Sequence, residues 1–438
     1  MDKRKEAIEI FLAGVESVKP DNLIKRYVSI NKNTLQIEEI TFDLSVVENI
    51  YVVGAGKASA AMAQALESIL GSRITGGHII TKYEHSLPLK FIEITEAGHP
   101  VPDENGIRGT EHILSIVNSA EKDDLVICLI SGGGSALLAD VPEGCTLDDL
   151  KVLNNVLLKI GADITEMNCI RKHLSKLKGG LLAKAASPAR VVSLILSDVI
   201  GDPLDVIASG PTAPDPTTFA DAISTLRKFK IENEIPVQIL KVLQDGFEKK
   251  RQETLKESDE VLLRTSNLII GTNKLALKTA KQKAESFGYE SQIVTDRLDG
   301  DVTDAADLII ETVKMVKEGK VNKKSCLLFA GEPTVKVNGK GLGGRNQHLA
   351  LLAAKSLKNL PGITILSGGT DGSDGPTDAT GAVVDCFTSK HASKFNLNME
   401  QYINSCDSYH FFKQAGGLII TGPTKTNVMD LMVVLIDN

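Results

Sequence analysis

Tryptophan is absent from this chain, and aromatic residues make up only 4% of it. That is too few rings for the stacking platforms that hold single-stranded nucleic acid. No apolar run approaches the roughly 20 residues that cross a bilayer, and the N-terminal MDKRKEAIEIFLAGVESVKP carries charges where a signal peptide has its apolar segment. Acidic residues outnumber basic ones, 56 to 49, for a net charge of −7, and no Lys/Arg stripe stands out. A general nucleic-acid binder is therefore excluded, and any anionic ligand must be met by a few local cations. The six cysteines (Cys128, Cys145, Cys169, Cys326, Cys386 and Cys406) form no CxxC and no Cys/His pair at zinc spacing. Neither a disulfide framework nor a structural zinc is indicated. The expectation is a cytoplasmic protein with small-molecule partners, no nucleic acid and no membrane; homo-oligomerisation is left open.

Glycine, by contrast, is plentiful at 37 residues and gathers at the ends of apolar strands. Three such strands run into loops: Gly54-Ala55-Gly56-Lys57-Ala58-Ser59, Ser131-Gly132-Gly133-Gly134-Ser135, and Ser367-Gly368-Gly369-Thr370-Asp371-Gly372-Ser373-Asp374-Gly375. Bare backbone N–H groups of this kind approach an oxyanion closely, and phosphate suits them best.

At 438 residues the chain exceeds one ordinary core, and two domains are expected. Residues 1–28 read as an amphipathic helix, a Pro20 break and a second short helix. Strands are predicted at 48–53, 77–81, 91–95, 124–130 and 191–196, with helices at 58–70, 105–119, 147–160 and 165–186. Their unbroken apolar character fits a mostly parallel sheet covered on both faces. The charged stretch 241–260 is the boundary candidate, giving domains 1–250 and 251–438. A second alternating series follows: strands 267–270, 291–294, 325–330, 334–337 and 363–366, helices 273–287, 301–318 and 345–358, and closing strands near 381–384, 417–420 and 431–436. The fold class is α/β, two three-layer α/β/α domains, with the active site expected in a cleft between them.

The first loop fails as a Walker A motif, because Tyr51 and Ala58 stand where Gly and Ser/Thr are required. It is weak as a dinucleotide fingerprint, since Ser59 holds the last position and the next strand ends in Thr81-Lys82 rather than an acid. What remains is Lys57 at a helix start, where the helix dipole repels it unless it serves an anion; a surface lysine on an ordinary turn is the alternative. The second loop, Ser131 to Ser135, reads as a phosphate cradle. Asp198, at a strand's C-terminal end, lies where open α/β sheets bind ligands. Asp371, Asp374 and Asp378 are like charges that favour a cation among them, Mg²⁺ being the natural one. Arg345 opens a helix after three glycines, and Glu332 before Pro333 could fix it or a substrate hydroxyl. Arg171 sits in a basic helix, and His99 in a stiff Gly-His-Pro loop could touch substrate or nucleotide.

Taken together, Gly54-Ala55-Gly56-Lys57-Ala58, Glu96-Ala97-Gly98-His99-Pro100, Ser131-Gly132-Gly133-Gly134-Ser135-Ala136, Asn168-x-x-Arg171-Lys172-His173, Ser197-Asp198-Val199-x-Gly201-Asp202, Gly331-Glu332-Pro333-Thr334, Gly344-Arg345-Asn346-Gln347 and Gly369-Thr370-Asp371-Gly372 resemble the class II glycerate 2-kinases. The resemblance runs from about residue 50 to the end. It implies an N-terminal Rossmann-like domain joined to a C-terminal MOFRL domain, and ATP-dependent phosphorylation of D-glycerate at its 2-hydroxyl with Mg²⁺. It further implies Lys57 and Arg345 as active-site cations and Asp198 as the carboxylate near the reacting hydroxyl. Beside it, the reading of the residues themselves gives Gly56, the Ser131–Ser135 loop, His99, Arg171 and Glu332 as substrate or phosphate contacts, with Arg171 or Arg345 for the glycerate carboxylate, and Asp371 and Asp374 as metal contacts. An NAD(P)-dependent hydroxypyruvate reductase is the rival enzyme, and a non-catalytic sensor of a phosphorylated sugar acid the rival from another class.

Overall fold

In the computed structural model, which describes residues 2–319 and 323–437, the chain begins with α1 (Lys3–Ser17) and α2 (Pro20–Tyr27). An antiparallel meander follows, β1 (Val28–Asn31), β2 (Thr34–Ile37) and β3 (Ile40–Asp43), which the sequence did not suggest. The apolar runs then become a six-stranded sheet of β4 (Ile50–Ala55), β5 (Gly76–Lys82), β6 (Glu93–Ala97), β7 (Leu125–Ile130), β8 (Arg190–Leu196) and β9 (Thr265–Gly271). Its order is β6-β5-β4-β7-β8-β9, with parallel pairing from β6 through to β8. This is the Rossmann order 3-2-1-4-5-6, whose direction of winding reverses between β4 and β7. Val53, Cys128 and Val191 enter one apolar cluster, while their neighbours Val52, Ile127 and Val192 are buried as well. Alternate side chains point to opposite faces, so both faces are covered.

Helices α3 (Ser59–Leu70), α4 (Glu104–Asn118), α5 (Gly134–Leu137), α6 (Leu147–Lys159), α7 (Ile164–His173), α8 (Leu181–Ala186), α9 (Phe219–Phe229) and α10 (Val237–Phe247) complete this part of the chain. The helix predicted over 165–186 is broken: Gly179 and Gly180 take positive φ, and their N–H groups bond to the carbonyls of Ser209 and Gly210. Helices α6, α7, α9 and α10 share a separate cluster containing Leu157, Ile170, Leu226 and Leu243. Reciprocal capping boxes start α6, α7 and α9, at Thr146/Asp149, Asp163/Glu166 and Thr218/Asp221.

Two compact units result, residues 23–270 and residues 1–22 with 271–438. They are called here the central and the terminal unit. At its inner boundary the division differs from the expected 1–250 and 251–438 for two reasons. The strand expected at 267–270 to open the second domain is the sixth strand of the first sheet, and the supposedly charged spacer carries α10, with Val242 and Leu243 buried.

The terminal unit contains α11 (Asn273–Ser286), β10 (Glu290–Leu298), α12 (Val302–Glu318), β11 (Ser325–Gly331), α13 (Arg345–Leu357), β12 (Ile363–Gly369), β13 (Gly381–Asp385), β14 (Leu418–Ile419) and β15 (Asp430–Ile436). Its mixed sheet runs β10-β11-β15-β12-β13-β14, parallel only between β10 and β11. The strand expected at 334–337 reduces to a single bridge from Thr334 to Asp301, beyond Pro333, which supplies no N–H to a ladder. Helix α1 belongs to this unit because its apolar stripe, Ile10, Phe11 and Val15, is buried there and Arg4 pairs with Asp385 at 2.7 Å. No helix among the described residues is long and apolar enough to cross a membrane.

Candidate active site

In the central unit the first two glycine loops meet at the reversal point between β4 and β7. Gly56 has φ +144°, and a Cβ there would lie 2.0 Å from Ser131 Oγ. Only glycine lets the loops close so far. Ser131 is fully buried; its hydroxyl accepts from the Ala58 N–H at 3.0 Å and lies 3.3 Å from Ser59 Oγ. The Lys57 N–H donates to Gly132 O at 2.9 Å. Gly56 and Ser131 thus lock one loop onto the other, and the backbone from Gly132 to Ser135 follows.

Lys57 and His99 flank that backbone. A methyl on Gly133 would lie 2.9 Å from the His99 ring and 3.5 Å from Lys57 Cγ. Burial first, then the nearby Lys57 charge, lowers the His99 pKa to about 4, so the ring is neutral at physiological pH. His99, Gly133 and Ser135 edge a cavity of 660 Å³ that also takes in Leu147, Leu150, Asn154 and Arg171 from α6 and α7. Its size is that of a small-molecule site, and its wall is largely apolar with a few polar groups. Arg171 donates to Asn154 Oδ1 at 3.0 Å, and burial lowers its pKa.

Asp198 is half-buried, two residues beyond the end of β8. Its loop holds Asp202, Ala208 and Ser209 at positive φ, a concentration of strain that functional sites tolerate and spacer loops rarely show. Ser209 Oγ lies 2.8 Å from Ser135 Oγ, tying this loop to the glycine loop. Sequence reasoning missed what fixes it: Lys172, buried, reaches Asp205 at 3.0 Å and Asp215 at 3.2 Å. The signal was a lysine inside an otherwise half-apolar helix.

The terminal unit gathers its own set. Arg345 pairs with Asp430 through two bonds, 2.6 and 3.0 Å, and with Glu332 at 2.8 Å. Burial opposes its charge, yet Asp430 and then Glu332 hold its pKa above the ordinary arginine value. Its place at a helix N-terminus is thereby compensated by carboxylates of the fold. Asp430 escaped the sequence reading; the trace was an aspartate heading the apolar run Leu431–Ile436.

The expected metal pair has two different surroundings. Asp374 is buried, and its oxygens accept from the backbone N–H groups of Asn346 and Gln347 at 3.0 and 2.8 Å and from both side-chain amides. It caps α13. Burial pushes its pKa up to about 6, against those donors. Gly344 makes room, since a Cβ there would lie 2.3 Å from the Asp374 carboxyl group. Asp371 is half-buried and accepts from the Ser373 N–H at 3.1 Å. Asp378 accepts from the Tyr409 hydroxyl at 2.8 Å. A carboxylate such as Asp371 suits Mg²⁺, which takes one or two protein carboxylates beside phosphates and water.

Residues 6–244 match the family described as a domain of unknown function (DUF4147), and residues 325–430 match the MOFRL family. The chain is 41% identical to the D-glycerate 2-kinase of Thermotoga maritima over 99% of its own length and 98% of the relative's. It is 38% identical to the glycerate 2-kinase of Pyrococcus horikoshii, covering 100% and 98%. A crystal structure of glycerate kinase from Thermotoga maritima superposes with a TM-score of 0.87 at 40% identity, over 99% of each chain.

Proposed function

The chain belongs to the glycerate 2-kinase family, and from that premise we propose how its residues divide the transfer of a phosphoryl group from ATP to the 2-hydroxyl of D-glycerate. The observation that carries the assignment is that Lys57 and His99 both flank Gly133, and that Gly133, Ser135 and His99 edge the 660 Å³ cavity. We assign the adenine to the leucine wall of that cavity and the phosphates to the backbone N–H groups beside Lys57. Neutral His99 serves as a hydrogen-bond partner of a phosphate oxygen, and Arg171 receives the glycerate carboxylate. Asp198 orients the 2-hydroxyl and takes its proton as that oxygen bonds to the γ-phosphorus; the bond to the β–γ bridging oxygen breaks and ADP leaves.

Phosphoryl transfer asks mainly for positioning and charge neutralisation, and loss of one preorganised donor at the developing charge costs about 10²–10³ in rate. Lys57 supplies one in the central unit. Arg345, which Asp430 and Glu332 hold in a single orientation, is assigned to the same reaction; its guanidinium has five donors to share. Asp371 is the residue we assign to Mg²⁺, with Asp374 keeping α13 in place. Bound with the nucleotide, the ion neutralises phosphate charge. We place the protein, with ATP and glycerate as its small-molecule partners, in the cytoplasm.

The test is product identity. With ATP, D-glycerate and Mg²⁺ the purified protein should form 2-phosphoglycerate and ADP, as read by ³¹P NMR; 3-phosphoglycerate as the sole product would reject the assignment. Hydroxypyruvate with NADH should give a flat absorbance trace, in keeping with Lys82 at the end of β5 where a ribose-binding acid would stand.

A further inference from the structure

Far along β5 and β6 from the glycine loops, the edge of the central sheet carries two histidines and a glutamate. In the parallel register His78 of β5 stands opposite Glu93 of β6. His78 is only 2% exposed. Its Nε2 shares a 2.9 Å hydrogen bond with Thr95 Oγ1, whereas its Nδ1 is buried with no hydrogen-bond partner, 3.6 Å from Glu93 Oε2. Helix α4 supplies the third group. Gly109 lets it come so close that a Cβ there would lie 2.8 Å from Ile80 and 3.2 Å from Thr95. One turn later His112 stands against His78, ring edge to ring face, with centroids 4.9 Å apart. One ligand atom from each of His78, Glu93 and His112 lies within 4.8 Å of the other two, the one such triple among the described residues.

We propose that His78, Glu93 and His112 form a site for a divalent transition ion of the Zn²⁺ class, separate from the Mg²⁺ that accompanies ATP. Two imidazoles and one carboxylate are a donor set for zinc, with water as the fourth ligand, and a poor one for magnesium. Ligands about 2.0–2.1 Å from a tetrahedral centre lie roughly 3.4 Å apart, close to the spacing of His78 Nδ1 and Glu93. A proton on Nε2, donated to Thr95, leaves Nδ1 with its lone pair aimed into the cluster, the tautomer that metal ligation requires. Burial first, and His112 next, also lower the His78 pKa, which keeps the ring uncharged. Glu93 and His112 are exposed, so an ion can enter and both side chains can close on it. Bound there, the ion staples edge strand β6 to β5 and α4. Because β6 leads directly through Gly98 into His99, the same staple braces the segment that carries His99.

The chelator-stripped, full-length protein is titrated with ZnCl₂ by calorimetry and with Co²⁺ in the visible range, tenfold excess Mg²⁺ being present throughout. One ion per chain, a four-coordinate cobalt spectrum and a raised unfolding midpoint are expected. His112→Ala and Glu93→Gln alter exposed side chains and should keep the fold and the Mg²⁺-dependent kinase rate. Each should weaken binding by at least about tenfold, since even outer-shell losses cost 10–100-fold. No binding to the parent chain, binding left intact in both variants, or binding lost instead when Cys145, Cys386 and Cys406 are changed to Ser would overturn the proposal.

Discussion

A methyl group on Gly56 would sit 2.0 Å from Ser131 Oγ and 2.6 Å from its carbonyl oxygen. The two loops that converge on the proposed phosphate site therefore hold each other, and the glycine is needed for their approach before any ligand arrives. Gly56→Ala combines a positive φ with a backbone clash. The expected result is a folded protein destabilised by about 1–3 kcal/mol, with kcat/KM reduced by about 10²-fold, because a shift near 1 Å at a phosphate cradle is enough for that. Changing Ser131 to Gly in the same chain should not rescue it, since the carbonyl clash remains. Steady-state kinetics and denaturant unfolding on the two variants check this.

Arg345 and Asp430 call for a variant that separates folding from catalysis. Arg345→Ala alone strands a fully buried carboxylate, which costs about 3 kcal/mol by the usual behaviour of broken buried pairs. Arg345→Ala with Asp430→Asn should recover much of that stability and none of the rate. Arg345→Lys should stay slow as well, because an ammonium cannot reproduce the two-bond pairing. Rate restored in the double variant would remove Arg345 from the chemistry and leave it a purely structural role.

His99 predicts a pH dependence with a definite sign. Its folded pKa lies at about 4, below the unfolded value near 6.5. Between those two values the unfolded chain binds the proton that the folded chain refuses. The stability His99 contributes is thus complete above about pH 6.5 and is lost as the pH falls toward 4. After solvent screening the difference is of the order of 1–2 kcal/mol, to be read as the parent minus His99→Gln stability at pH 4.5 and pH 7. An NMR titration of the ring should show its midpoint near 4, moving upward when phosphate is added.

The leucine wall gives a test of which ligand the cavity receives. Leu150 is half-buried at its lining, and Leu150→Trp would fill part of the 660 Å³. If adenine lies there, KM for ATP should rise roughly tenfold or more while KM for glycerate stays within about twofold, a loss of near 1.4 kcal/mol in nucleotide binding. The reverse pattern would put glycerate, not adenine, against the leucine wall.

Much of this was legible in the chain itself, for physical reasons. Apolar runs such as Leu125–Ile130 have to be buried strands, and glycine clusters at their ends have to be loops. What could not be read was pairing between distant segments. Thr265–Gly271 looks like the first strand of a new series, yet it completes the first sheet, and chain order carries no information on that choice. Asp430 belongs to no local motif because its partner is 85 residues away. Asp374 looked like a metal ligand from its acidic neighbours, and only the position of α13 shows that its oxygens cap a helix.

Helix α1 is the largest such case, since nothing in its sequence ties it to the terminal unit. Phe11 is fully buried, and a Cβ on Gly368 would lie 3.0 Å from its ring. The ring thus packs directly beneath the third glycine loop. Val18 O accepts from the Thr426 hydroxyl at 2.6 Å, closing the far end of the helix onto the same unit. Phe11→Ala should cost about 3–5 kcal/mol and lower the unfolding midpoint of the terminal unit while leaving the central unit's largely unchanged. Residues 271–438 expressed alone should be poorly folded, because the face that α1 covers would be open to water. Adding a peptide of residues 1–22 should then restore protection of β12 and β15 amides in hydrogen exchange; full protection without the peptide would show that α1 is dispensable.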